Sequence, residues 1–143
     1  MVDTHNLQRF VIAQDAVYDT VISELKAGRK TSHWMWFIFP QIAGLGYSPM
    51  AITCSISSKA EAEAYLSHPT LGGRLRECAQ LVLQIEDRTS PEIFGGIDAI
   101  KLRSCMTLFA IISDEPVFTD VLRRFYDGKS DQKTLGILNS EIT

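Results

Sequence analysis

Apolar residues recur at intervals of three or four along most of this chain, and glycine, proline or a capping residue separates each run from the next. That interval is the period of an α-helix that buries one face, and no run alternates in the manner of a half-buried strand. The spacing therefore predicts an all-α fold. It predicts about six helices, which cover residues 6–27, 59–67, 70–86, 98–113, 116–125 and 131–138. Capping residues also predict two short helical turns, one at residues 34–38, where a strand is the alternative, and one that starts at Ser90 and ends before Gly95.

Residues 48–56 are another stretch for which a different structure is also predicted. They follow a glycine-rich loop, and residues 51–56 are apolar and partly β-branched. This composition favours a very short extended segment near residues 48–56, as an exception within the helical fold.

The length and composition are those of one globular domain over residues 1–143. Hydrophobic residues make up 45% of the chain and charged residues 22%, so a core of ordinary size can form without a disulfide or a structural metal. The three cysteines, Cys54, Cys78 and Cys105, are widely spaced and form no CxxC pair. This pattern is typical of reduced thiols in a cytoplasmic protein.

Charge and motif content argue against several classes of function. The net charge is −3, from 14 basic and 17 acidic residues, and gives no basic excess for general nucleic-acid binding. The longest apolar run, residues 34–39, is far too short to span a bilayer, and the N-terminus lacks the pattern of a signal peptide. Histidines at metal-ligand spacing and glycine-rich cofactor motifs are absent, so we expect no metal, no cofactor and no membrane association.

The segment from His33 to Gln41, with the sequence HWMWFIFPQ, is the most unusual part of the chain. If it is helical, Trp34 and Trp36 lie about 200° apart and face different sides. If it is extended, they share one side. Both sides are apolar in either case, which favours core packing. The alternative is that the segment, with Gln41 at its end, forms the wall of a site for a planar ligand such as a nucleobase.

The helix predicted at 98–113 carries the second group of candidate residues. Apolar residues surround most of its circumference, so we expect it to be central and buried, with Asp98 as its N-terminal cap. Lys101 lies three residues later and can meet Asp98 on one face. A buried ammonium group must be paired, and a structural salt bridge therefore competes with a role for Lys101 in binding an anion or a substrate carbonyl.

Two further side chains are candidates because of their chemistry alone. His33 can act as a general acid or base near neutral pH, although a histidine at such a position more often bonds a nearby backbone carbonyl. Arg74 follows two glycines and could bind a phosphate bidentately, although a surface salt bridge is the more common role. The candidate catalytic residues are therefore His33, Asp98 and Lys101, and acid–base hydrolysis is the reaction that they favour.

Three blocks of the sequence resemble a bacterial family. The first block is Gln14 with residues 24–30 and 32–41, the second is residues 61–66, 68–69 and 71–75, and the third is residues 94–95, Asp98, 101–104, 106–109, Phe125, Gly128 and Asp131. Together they span residues 7–138 and are similar to domain-of-unknown-function family 1810 (DUF1810). The resemblance implies a mostly α-helical, single-domain cytosolic protein, and it implies no reaction.

The resemblance has one local departure and one label that does not fit. Residues 53–56, Thr-Cys-Ser-Ile, stand where the family has an aromatic residue, so the resemblance implies nothing about a ligand contact there. Members of the family often carry the label "calpastatin". Calpastatins are long disordered inhibitors, whereas this composition is globular, and the label is therefore rejected.

Two hypotheses of function follow from these residues. The first is a domain that binds or acts on a small anionic or nucleotide-like ligand, at a site where the aromatic segment meets the helix of Asp98. Its candidate binding residues are Trp34, Trp36, Gln41, Arg74 and Lys101. The second is a non-catalytic module for protein–protein interaction, a homodimer in its simplest form, with the loop at residues 40–50 or an apolar patch as the contact surface.

Overall fold

The computed structural model describes the backbone of residues 3–142 and the side chains of residues 3–140. This part of the chain contains ten helices and no strand, which confirms the all-α class. The helices are α1 (Gln8–Asp15), α2 (Tyr18–Ala27), α3 (Met35–Ile38), α4 (Pro49–Thr53), α5 (Lys59–Ser67), α6 (Pro69–Leu83), α7 (Ser90–Phe94), α8 (Gly96–Ile112), α9 (Pro116–Tyr126) and α10 (Gln132–Ile142).

The predicted number of about six helices is too low for two reasons. Three of the helices, α3, α4 and α7, have only four or five residues, which is too short for a helical period to be visible in the sequence. In addition, the helix predicted at 6–27 is divided between Asp15 and Tyr18. The apolar spacing continues across this break, and neither glycine nor proline marks it.

The extended segment predicted near residues 48–56 is wrong over residues 49–53, because these form α4. The Ser48 hydroxyl accepts a hydrogen bond from the backbone N–H of Ala51 at 3.1 Å, and Pro49 occupies the first turn. A serine cap followed by proline is a strong helix start, and here it outweighs the β-branched residues. The extended structure that does occur is a single parallel bridge between Ile42 and Ile56.

The longest helix, α8, lies at the centre of the fold and packs against α5, α7, α9 and α10. Its middle is fully buried, as predicted, through Leu102, Cys105, Met106, Leu108 and Phe109. Its first two turns are different, because Ile97 is 75% exposed and Ile100 is 64% exposed. The prediction of a central, buried helix is therefore wrong at the N-terminal end of α8, where no other helix of the described residues buries these two side chains.

A row of buried aromatic rings crosses the core and joins four helices. Phe10 of α1 contacts Tyr65 of α5, Tyr65 contacts Phe109 of α8, and Phe109 contacts Phe118 of α9, with ring centres 5.2, 5.6 and 5.8 Å apart. Buried aromatic side chains of this size dominate the energy of a core. This row therefore holds α8 at a defined position relative to the N-terminal helices.

The two neighbouring glycines of α6 make a matched test of the packing between α5 and α6. A Cβ atom at Gly72 would lie 2.0 Å from the backbone oxygen of Leu66, whereas a Cβ atom at Gly73 would meet nothing within 4 Å. We expect Gly72→Ala to lower the free energy of unfolding by about 2–3 kcal/mol because the backbones must separate. We expect Gly73→Ala to raise it by up to about 1 kcal/mol through helix propensity. Urea denaturation measures both, and equal effects would contradict this packing.

Among residues 3–142, no helix combines the length and the apolar character that are needed to cross a membrane.

Candidate functional site

A cleft of about 320 Å³ lies beside Trp36, where the loop after α3 meets the first turns of α8 and the start of α10. This volume is at the lower end of the range for small-molecule sites. We name it the α8 cleft. Its lining residues come from these three segments and are Trp36, Gln41, Leu45, Gly46, Ile97, Ile100, Lys101, Ser104, Asp131 and Lys133.

The two tryptophans of the aromatic segment face different sides, because residues 35–38 form a helical turn. Trp34 is only 1% exposed and packs in the core against Phe39, with ring centres 6.3 Å apart. Trp36 is half-buried and lines the cleft. The helical interpretation of this segment is therefore correct, and one tryptophan serves the core while the other reaches the candidate site.

Glu24 of α2 holds the chain that leads into α3. Its carboxylate accepts hydrogen bonds from the backbone N–H groups of Thr31 and Ser32 at 2.7 and 3.0 Å, from the Ser32 hydroxyl at 2.5 Å, and from the Trp34 indole N–H at 2.9 Å. Burial raises the pKa of this carboxyl, but the bonds from Ser32, Thr31 and Trp34 outweigh burial and lower it to about 2. Glu24 therefore stays ionised and fixes the orientation of Trp34.

Asp98 pairs with two lysines directly behind the cleft. One of its carboxylate oxygens lies 2.7 Å from Nζ of Lys30, and the other lies 3.1 Å from Nζ of Lys101. Lys101 also places its Nζ 3.9 Å from the centre of the Trp36 ring, which is a cation–π contact. Burial raises the pKa of Asp98, but the hydrogen bonds from Lys30 and Lys101 outweigh it, and the net shift is downward.

The prediction that Asp98 caps α8 is wrong, because the helix begins two residues earlier, at Gly96. Asp98 instead lies in the first turn and uses its carboxylate for the two lysines. Both carboxylate oxygens are occupied by ammonium groups. A role for Asp98 as a general base would therefore require one of these pairs to break first.

Gln41 and Trp36 bring polar groups to the cleft that have no partner in the described part of the chain. Gln41 is only 9% exposed, yet its side-chain amide makes no hydrogen bond with residues 3–140. The Trp36 indole N–H also makes no hydrogen bond with these residues. Within that range every fully enclosed side-chain nitrogen or oxygen has a partner, so both groups reach solvent. Because both residues line the α8 cleft, their polar groups are available to a ligand there.

Three charged side chains line the cleft, and two of them, Asp131 and Lys133, are not among the candidate site residues from the sequence. Lys101 and Lys133 are cationic and Asp131 is anionic, which gives the lining a net charge of +1. The Asp131 carboxylate caps α10 by accepting hydrogen bonds from the Thr134 N–H and hydroxyl at 3.0 and 2.6 Å. Lys133 makes no ion pair with any residue in the described range.

One sequence signal could have found more of this site. Ile97, Ile100, Lys101 and Ser104 stand at positions i, i+3, i+4 and i+7, which is one face of a helix. The apolar residues of this face also fit a helix that is buried in the core, so the pattern alone does not distinguish a core face from the lining of a cleft. Lys133 carries no such signal, because its position beside α8 results from the docking of α10.

Four of the sequence candidates do not line the cleft, and Asp98, directly behind it, is one of them. Trp34 is in the core, and His33 is exposed and makes no hydrogen bond with the residues that the structure describes. The Arg74 guanidinium lies 2.8 Å from the Asp15 carboxylate and 4.7 Å from the centre of the Tyr18 ring. The structure therefore brings together Trp36, Gln41 and Lys101, with Asp98 behind them.

In residues 3–140, no three histidine, cysteine, aspartate or glutamate side chains come close enough together to hold a metal ion.

The comparison with known proteins agrees with the resemblance in the three sequence blocks. The family described as "Protein of unknown function (DUF1810)" matches residues 4–138. The chain belongs to this family. The crystal structure of the conserved hypothetical protein Rv1873 from Mycobacterium tuberculosis has 51% sequence identity and a TM-score of 0.95, and the match covers 96% of this chain and 99% of that one. No curated protein matches this chain.

The residues that carry the DUF1810 resemblance divide into two groups in the structure. Gln14 and Arg74 belong to a structural network, since the buried Gln14 amide donates to the Phe37 carbonyl at 2.7 Å and the Tyr65 hydroxyl at 2.9 Å, and Arg74 reaches the Gln14 oxygen at 3.4 Å. Trp36 belongs to the second group, at the α8 cleft. The first sequence block, which contains Gln14 and Trp36, therefore contributes residues both to the core and to the α8 cleft.

Proposed function

We propose that this protein binds a small anionic or nucleotide-like molecule in the α8 cleft. The observation that carries the proposal is the Gln41 amide, which is enclosed on most sides and has no hydrogen-bond partner among the described residues. Because this amide also reaches solvent in the cleft, a ligand that displaces water there can form hydrogen bonds with it. A ligand in the cleft would supply that partner, next to Trp36 and Lys101.

The other lining residues match such a ligand in shape and charge. A primary amide presents a donor and an acceptor side by side, which is the pattern on the edge of a nucleobase. Leu45, Ile97 and Ile100 offer apolar surface for a planar ring, and the Trp36 indole N–H offers a donor. The ammonium groups of Lys101 and Lys133 favour an anionic substituent such as phosphate.

The proposal is for binding, and it assigns no reaction. Asp98 is held between two ammonium groups, and His33 does not line the cleft. The acid–base roles that the sequence favoured for these two residues therefore do not enter the proposal.

Isothermal titration calorimetry with the four common nucleoside monophosphates tests the proposal. We expect at least one to bind, and we expect Gln41→Leu to weaken its binding by about tenfold, because the amide hydrogen bonds are lost. Gln80→Leu is the matched control, since Gln80 is an exposed residue of α6 that does not line the cleft. Absence of binding by every monophosphate, or an equal effect of the two variants, would contradict the proposal.

A homodimer is the second candidate function, and the exposed isoleucines favour it. Ile97 and Ile100 line the α8 cleft and are mostly exposed. Tyr47, which is 85% exposed, lies two residues after Leu45, another lining residue of this cleft. Exposed apolar side chains that lie together often mark an interface. Light scattering over a range of protein concentrations tests this candidate, and a monomer at all concentrations would count against it.

We also propose a cytoplasmic location. Cys54, Cys78 and Cys105 are buried free thiols, as expected for a protein in a reducing compartment. Cell fractionation tests the location, and recovery of the protein from the periplasm or the membrane would contradict it.

A further inference from the structure

A second cleft, of about 440 Å³, lies against the same loop that walls the α8 cleft. We name it the α10 cleft. Its lining includes Gly44, Leu45, Tyr47, Lys133, Gly136 and Ile137. Leu45 and Lys133 line both clefts, so the two spaces meet at these side chains. The two clefts are therefore adjacent, and Lys133 borders both of them.

Lys133 gives the junction of the two clefts an unneutralised positive charge. Its ammonium group has no ion pair or hydrogen bond with the described residues, and among side chains 3–140 it is the one charged group in the lining of the α10 cleft. Lys133 also lies in the first turn of α10, where the helix dipole adds positive potential. The Asp131 carboxylate accepts two hydrogen bonds from Thr134 and keeps its negative charge, so Lys101 and Lys133 together leave the lining of the α8 cleft with a net charge of +1. The chemistry at the junction is that of a site for an anion.

The lining of the α10 cleft offers glycine, aromatic and aliphatic surface to a second planar group. Gly136 stands inside α10, where glycine is a poor helix former, and a Cβ atom there would meet nothing within 4 Å. The packing of the described residues therefore does not require a glycine at this position, and its effect is a flat floor. The Tyr47 ring, which is mostly exposed, and the Ile137 side chain border this floor. Aromatic and aliphatic surfaces of this kind stack against planar groups.

From these observations we propose that the ligand spans both clefts. It is a nucleotide in which a diphosphate group links the first ring system to a second planar group. The diphosphate would lie at Lys133, the first ring beside Trp36 and Gln41, and the second ring between Tyr47 and Gly136. This inference rests on the proposed function, and it names the class of ligand for the same site.

The test compares nucleoside monophosphates with the symmetrical dinucleoside diphosphates of the same bases, with affinity measured by calorimetry. We expect the preferred diphosphate to bind at least about tenfold more tightly than its monophosphate, because it fills the second cleft as well. Gly136→Leu places a side chain on the floor of the α10 cleft. We expect it to abolish this tenfold gain and to leave the affinity for the monophosphate unchanged.

Two further variants keep the test independent of folding. Asn139→Leu adds the same side chain at an exposed position of α10 outside both clefts, and we expect it to preserve both affinities. Tyr47→Ala truncates an exposed side chain, and we expect it to lose part of the gain even if Gly136→Leu does not fold.

The outcomes separate this inference from the proposed function. If a monophosphate binds and its dinucleoside diphosphate binds no more tightly, the inference is overturned and the proposed function stands. The inference is also overturned if the diphosphate binds more tightly but neither Gly136→Leu nor Tyr47→Ala reduces the gain. If none of these compounds binds, both are overturned.

Discussion

Replacement of Trp34 by alanine is expected to lower the free energy of unfolding by about 3–5 kcal/mol, as for other large aromatic side chains removed from a core. Trp34 is 1% exposed and contacts the ring of Phe39. Its indole N–H also donates to Glu24, but three other donors hold that carboxylate in place. The expected loss therefore comes mainly from the cavity, and urea denaturation at neutral pH measures it.

Trp36→Ala is the natural comparison, because the same residue type stands two positions later on the same helical turn. Trp36 is half-buried at the cleft, so we expect a stability loss of only about 1 kcal/mol, a typical value for a point mutation. We expect this variant, unlike Trp34→Ala, to lose ligand binding while it remains folded. Equal stability losses for the two variants would contradict the assignment of one tryptophan to the core and the other to the cleft.

Replacement of Asp98 by asparagine is the second change for which we expect a large effect. The side chain of Lys30 is only 7% exposed, and Asp98 is the acidic residue that pairs with its ammonium group. Removal of one partner of a buried ion pair leaves the other charge uncompensated, and this typically costs about 3–5 kcal/mol. The Lys30 ammonium would keep its hydrogen bond to the Ser32 carbonyl, so we expect a loss near 3 kcal/mol, the lower end of that range.

Two further variants show whether the uncompensated charge is the cause. Lys101→Met leaves Asp98 paired with Lys30, and we expect it to cost about 1 kcal/mol. In the double variant Lys30→Met with Asp98→Asn, the buried ammonium is gone, so most of the loss in Asp98→Asn should be recovered. Urea denaturation measures all three. A loss below about 1 kcal/mol in Asp98→Asn would show that Lys30 does not need this partner.

The helical class and the positions of the longer helices follow from local sequence. Residues three and four apart in the chain are neighbours on a helix, so the apolar period and the capping residues contain the information for α5, α8, α9 and α10. The same period placed Trp34 and Trp36 on different sides once residues 35–38 were taken as helical. The resemblance to DUF1810 was likewise visible in the sequence, and the family match confirms it.

The incorrect predictions concern residues whose structure depends on contacts with distant parts of the chain, in addition to the local spacing of apolar and capping residues. The break between α1 and α2 lies next to the buried Gln14, whose amide bonds to Phe37 and Tyr65, far along the chain. Asp98 has the composition of a helix cap, but Lys30 and Lys101 bind its carboxylate instead. No spacing rule contains the identity of a partner more than sixty residues away, as in the pair of Lys30 with Asp98.

The aromatic segment from His33 to Gln41 shows both kinds of information together. The sequence by itself determined that it belongs to a helical protein of this family and that its two tryptophans face different sides if the segment is helical. Only the tertiary structure decided which tryptophan is buried, and that Trp36 and Gln41 face a cleft with Lys101 and Lys133. The physical reason is that periodicity results from contacts between near neighbours, whereas a cleft forms where three separate segments of the chain meet.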